Sequence, residues 1–92
     1  MSYNQHLELA IDVASRASRF LDDQRLPNET WTVSIWPKEN GQFIVWFQVE
    51  SMLGNNTRKT NSKLLSPTLF SAYSPLDLIK GEIYNALREL RA

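Results

Sequence analysis

Hydrophobic and polar residues follow two different periods along this chain, and each period predicts an element. Over residues 4–24 the apolar positions Leu7, Ala10, Ala14, Ala17 and Leu21 keep the three-and-four spacing of one helical stripe. Ile11, Val13 and Phe20 widen that stripe, while Glu8, Asp12, Ser15, Arg16, Arg19 and Asp23 mark the opposite side. Asp12/Arg16 and Arg19/Asp23 stand at the four-residue interval of helical ion pairs. The small alanines let such a helix lie close against a sheet. Leu26-Pro27 ends it, because the residue before a proline is pushed out of the helical region.

The period then shortens to two. Trp31-Thr32-Val33-Ser34-Ile35-Trp36 alternates, and residues 43–49 are rich in β-branched and aromatic side chains. Between them Pro37-Lys38-Glu39-Asn40-Gly41 supplies turn chemistry, with Asn40-Gly41 suited to positive φ. A five-residue loop predicts a hairpin pairing Ile35 with Phe43, Val33 with Val45 and Trp31 with Phe47. One face then carries Trp31, Val33, Ile35, Phe43, Val45, Phe47 and Val49, which is a core face. The other carries Thr30, Thr32, Ser34, Trp36, Gln42, Ile44, Trp46 and Gln48, more apolar than a solvent face requires.

Residues 54–63 contain no hydrophobic side chain. They are expected to form a third strand that turns at Leu53-Gly54-Asn55-Asn56 and runs to Leu65, with a mobile loop as the alternative. Leu64 and Leu65 give the end of that strand something to bury. After a connector over 66–73 a second helix begins, with Ser74 as N-cap, Pro75 in first position and Asp77 in third. Leu76, Ile79, Ile83, Leu87 and Leu90 form its stripe, Leu78 and Tyr84 flank it, and Arg88 and Arg91 complement its dipole. The order α-β-β-(β)-α predicts a single α+β domain over residues 1–92. Its antiparallel sheet of about three strands has both helices on the one apolar face. Trp36, Ile44 and Trp46 are left on an open face, unless residues 66–73 fold over it.

Composition and charge narrow the function. The 92 residues hold ten basic and ten acidic side chains, a net charge of zero. That balance argues against a dedicated nucleic-acid binder and against an acidic mimic of nucleic acid. The charge is unevenly placed: four basic and seven acidic residues precede position 54, and residues 54–63 then carry Arg58, Lys59 and Lys63 with no acid. No stretch is apolar enough for a signal peptide or a membrane span, so the expected location is cytoplasmic. The glycosylation patterns at Asn28 and Asn55 are therefore read as chance.

Catalytic chemistry has little to use. There is no cysteine, and the single histidine, His6, lies at the start of the first helix. Asp22 and Asp23 diverge on a helix end, and glycines at 41, 54 and 81 make no phosphate loop. The chain is expected to be non-enzymatic, with no catalytic residue, cofactor or metal site. Two binding candidates stand out. Trp36, Ile44 and Trp46 suit a protein partner or a self-dimer, since tryptophan combines a large apolar area with a donor. Arg58, Lys59 and Lys63 suit a phosphate backbone, weakly and with salt sensitivity.

The α-β-β-β-α order is similar to that of the double-stranded RNA-binding domain. That family carries a lysine-rich start on its last helix and a histidine-bearing loop between its first two strands. Here those places hold Ser74-Pro75-Leu76-Asp77-Leu78-Ile79-Lys80 and Pro37-Lys38-Glu39-Asn40-Gly41. Both motifs are missing, so the resemblance covers topology and does not extend to double-stranded RNA binding. In size, in its lack of catalytic motifs and in its spare face, the chain also resembles small phage-encoded inhibitors of the anti-CRISPR kind. That resemblance implies a non-enzymatic protein that sterically blocks a host protein or ribonucleoprotein. Its Trp face or a helix would dock on the host effector while Arg58, Lys59 and Lys63 touch the nucleic acid. The alternatives are a small RNA- or DNA-binding module using residues 54–63, and a homodimeric accessory protein whose Trp faces pair.

Overall fold

A computed structural model describes residues 3–54, 56–63 and 75–92. Helix α1 spans Tyr3–Gln24, strands β1, β2 and β3 span Glu29–Pro37, Phe43–Leu53 and Asn56–Lys63, and helix α2 spans Pro75–Arg91. The strands form one antiparallel sheet in the order β1-β2-β3. Helix α1 lies over β1 and β2, α2 lies over β3 and β2, and the helices touch each other. This is the expected α+β order, with residues 56–63 as a true third strand. Leu64, Leu65, Ser74 and the 66–73 connector lie outside the described residues.

Period-two alternation sets the two sheet faces. Phe43, Val45, Phe47 and Val49 are buried beneath the helices, and Trp31, Val33 and Ile35 are half-buried beside them. The pairing register differs from expectation by two residues. Ile35 pairs with Val45, Val33 with Phe47 and Trp31 with Val49. The five-residue loop has the expected length but starts one residue later, at Lys38, because Pro37 extends β1 and takes Phe43 as its partner. A proline is tolerated there because β1 is an edge strand, where a missing N–H removes no necessary bond. A shift of two leaves every side chain on its expected face. A 3-10 turn over Glu39–Gly41 closes the loop, Gly41 takes φ 70°, and the Lys38 N–H donates to the Gln42 carbonyl at 2.7 Å. His6 belongs to this corner. It is half-buried, and its Nδ1–H donates to the Gly41 carbonyl at 3.1 Å, tying α1 to the hairpin loop.

The helices bury the stripes that their spacing predicts, with one rotation. In α1 the buried line is Ala10, Val13, Ala17 and Leu21, and Ala14 is only partly covered. Ile11 is 49% exposed, so it does not widen the core. In α2 Ile79, Ile83, Ala86, Leu87 and Leu90 are buried. The helices meet at Phe20, whose ring packs edge-on against Tyr84 at 5.1 Å with the Lys80 ammonium 5.6 Å from its centroid. Asp12 and Arg16 form the expected ion pair, but Arg19 and Asp23 do not; Asp22 pairs with Arg25 instead.

One polar cluster clamps the far end of the sheet. Glu29 shares the parity of Trp31, so its side chain enters the core face and is 1% exposed. Arg91 donates to both of its oxygens, at 2.7 and 3.0 Å, and the Leu26 N–H donates at 2.8 Å. Arg91 also donates to the Gln24 carbonyl at 2.8 Å, so one guanidinium joins the ends of α1 and α2 to the start of β1. Its hydrogen bonds hold the Glu29 carboxyl below the usual carboxylate range, against the opposing effect of burial.

Candidate binding face

The face opposite the helices is built by the same alternation. Even-numbered residues of β1 and β2 point away from the core, and odd-numbered residues of β3 join them because Trp46 pairs with Lys63 and Glu50 with Lys59. Trp36 is 59% exposed and Trp46 38%, with Ile44 half-buried between them in register. Met52, also 59% exposed, stands further along the same face of β2, beyond Gln48 and Glu50. Its position follows from extending the same parity beyond Val49. Thr32, Ser34, Trp36, Trp46, Phe47 and Gln48 line a shallow depression of about 400 Å³. The expectation that residues 66–73 cover this face lies outside the described residues.

The two tryptophans are held differently. The Trp36 indole N–H donates to the Ser34 Oγ at 3.0 Å, which spends its donor within the strand and fixes the ring. The Trp46 indole N–H makes no hydrogen bond among the described residues, so a large apolar ring and a donor without a partner there stand together in the middle strand. That combination suits recognition of a surface with apolar groups and a carbonyl acceptor.

The three cations of residues 54–63 do not form one patch. Arg58 pairs in register with buried Ser51, on the helix side, and its Nη1 donates to the Ala92 carbonyl at 2.7 Å. Lys59 is exposed on the Trp face opposite Glu50, and Lys63 occupies the register position opposite Trp46. Alternation divides the stretch because successive residues of a strand face opposite ways. The Trp face therefore carries two lysine positions and one glutamate, close to electrical balance.

Among the described residues no group of three His, Asp or Glu stands where it could hold a metal ion, and no helix is long and apolar enough to cross a membrane. His6 is engaged with the hairpin loop through the Gly41 carbonyl. No known family matches the chain, no curated protein is similar to it in sequence, and no solved structure matches it.

Proposed function

We propose that this is a non-enzymatic binding protein that occupies a partner protein's surface with its open sheet face, Trp36, Ile44 and Trp46 at the centre. The observation that carries the reading is Trp46, a half-exposed indole whose donor has no partner among the described residues, on the middle strand of the sheet. Both edges of β2 are hydrogen-bonded, so the ring is presented without the ordering cost that a loop would incur on binding. A small rigid domain that covers part of a larger protein acts by exclusion, and the blocking role implied by the phage-inhibitor resemblance is one form of that action.

Trp46→Ala is expected to weaken partner binding by about 30-fold or more, the loss typical of a central hot-spot residue of about 2 kcal/mol. Thermal unfolding should move little, because Trp46 lies outside the buried core. Isothermal titration with the captured partner measures the first quantity and circular dichroism the second. Unchanged affinity would remove this face from the account.

Lys59 and the Lys63 position share the face with the tryptophans, and this favours one second reading: bases of a single-stranded nucleic acid stacked on Trp36 and Trp46 with lysines at the phosphates. On that reading Lys59→Ala/Lys63→Ala lowers the salt slope of single-stranded oligonucleotide binding by about 1.4, while Arg58→Ala leaves it unchanged. A slope that responds equally to Arg58 would contradict it.

A further inference from the structure

The two outer edges of the sheet are built in opposite ways. Strand β3 reads Asn-Thr-Arg-Lys-Thr-Asn-Ser-Lys, polar throughout with three cations, the usual protection of an edge against unwanted pairing. Strand β1 keeps such devices to its two ends, Glu29 and Pro37. It pairs with β2 through nine successive residues without a bulge, and from Thr30 to Trp36 it carries neither charge nor proline. Its outer edge bears no strand among the described residues. Beside that edge an open groove runs between α1 and β1, lined by Ile11, Ala14, Ser18, Arg19, Val33 and Ile35 among others. Val33 and Ile35 are only half-buried, whereas their register partners Phe47 and Val45 are buried.

We infer that β1 pairs with β1 of a second copy of this chain, antiparallel about a two-fold axis at Val33, to form a continuous six-stranded sheet. The strand is self-complementary about that residue. Trp31 meets Ile35 of the copy, an aromatic–β-branched pair, and Thr32 meets Ser34, a hydroxyl pair. Charge selects this edge: β1 against β1 opposes no like charges over Thr30–Trp36, whereas β3 against β3 would gather three cations from each copy along one seam. Above the sheet the two α1 helices run antiparallel across the axis. The half carrying Glu8, which has no ion-pair partner among the described residues, approaches the half carrying Arg19, which also has none among them. Ile11 and the half-open groove are covered at the same seam. The arrangement closes, because it uses both β1 edges and leaves only the cationic β3 edges outside. It also places the Trp36/Trp46 strips of both copies on one side of one sheet, which goes beyond the proposed use of that face and does not depend on it.

The chain has no cysteine, so Val33→Cys introduces a single thiol at the axis, where antiparallel partners lie about 4.5–5.5 Å apart between Cα atoms, within reach of a disulfide. Mild oxidation of the purified variant is expected to give a covalent dimer, and Lys59→Cys treated alike is expected not to. Wild type should sediment at high micromolar concentration with twice the 10.6 kDa of the chain. Thr32→Lys/Ser34→Lys sets two like-charged pairs across the axis on the solvent face, and should raise the dissociation constant about tenfold or more with unfolding unchanged. A monomer at every concentration overturns the inference. So does a dimer that ignores the double lysine variant but is lost in Trp46→Ala, which would show that the faces stack. No partner is present in these measurements, so their failure is separate from failure of the proposed function.

Discussion

Arg91→Ala is expected to destabilise the fold by about 2–3 kcal/mol in denaturant unfolding. Removing one member of a fully buried ion pair costs about 3–5 kcal/mol, because the remaining charge stays in a low dielectric without compensation. The discount reflects the Arg91 side chain, which is 34% exposed, so water reaches part of the vacated site beside Glu29. The same substitution also frees the Gln24 carbonyl and unties the end of α2 from α1 and β1. For a domain of this size the loss is a substantial fraction of a total of about 5–14 kcal/mol.

The pH dependence follows from the direction of the Glu29 shift. Its folded carboxyl ionises below the ordinary carboxylate value because Arg91 donates to it, so the folded state binds fewer protons than the unfolded chain. The stability this contributes is complete above the unfolded carboxylate range and is lost as the pH falls through the lower, folded value. In Arg91→Ala the carboxylate is buried without its partner, and protonation then relieves the folded state. The stability gap between wild type and variant should therefore narrow as the pH is lowered from about 6 to 3. A gap that stays constant over that range would show that Arg91 contributes through packing alone.

Phe47→Ala should be more damaging, by about 3–5 kcal/mol, the range for emptying a buried phenylalanine site. Phe47 is 1% exposed on the middle strand, between Val33 and Ser62 in register, and it belongs to the cluster that both helices cover. The backbone of β2 is bonded on both sides and cannot collapse easily into the space. Phe47→Leu should recover most of the loss. A midpoint shift corresponding to less than about 1 kcal/mol for the alanine variant would contradict the packing described.

Much of the fold was legible because parity in a strand and the 3.6 period of a helix survive local errors. The hairpin register was misplaced by two residues, since Pro37 reads as turn chemistry yet serves as the last paired residue of an edge strand. The faces were nonetheless assigned correctly, because a shift of two preserves parity. Ile11 illustrates the opposite case. Its spacing admits it to the apolar stripe of α1, but the stripe is centred on Ala10, Val13 and Ala17, which turns Ile11 toward the uncovered edge of β1. Glu29 was readable and was missed: it stands two residues before Trp31, so its carboxylate had to face the core, and a buried carboxylate implies a cation such as Arg91. The separation of Arg58 from Lys59 follows from the same alternation. Grouping Arg58, Lys59 and Lys63 as one candidate site overlooked the alternation of the strand expected over the same residues. Arg19 and Asp23 have the spacing of an ion pair and do not form one, as is common for exposed charges whose attraction barely offsets side-chain ordering.

The Trp face bears most of the functional account. The most direct measurement is affinity capture from bacterial lysate, with and without nuclease, using wild type, Trp46→Ala and Arg58→Ala/Lys59→Ala/Lys63→Ala. The account predicts one stoichiometric protein partner that survives nuclease, is lost with Trp46→Ala and is retained by the triple variant. A partner held equally well by Trp46→Ala, or nucleic acid alone that disappears on nuclease treatment, would contradict it.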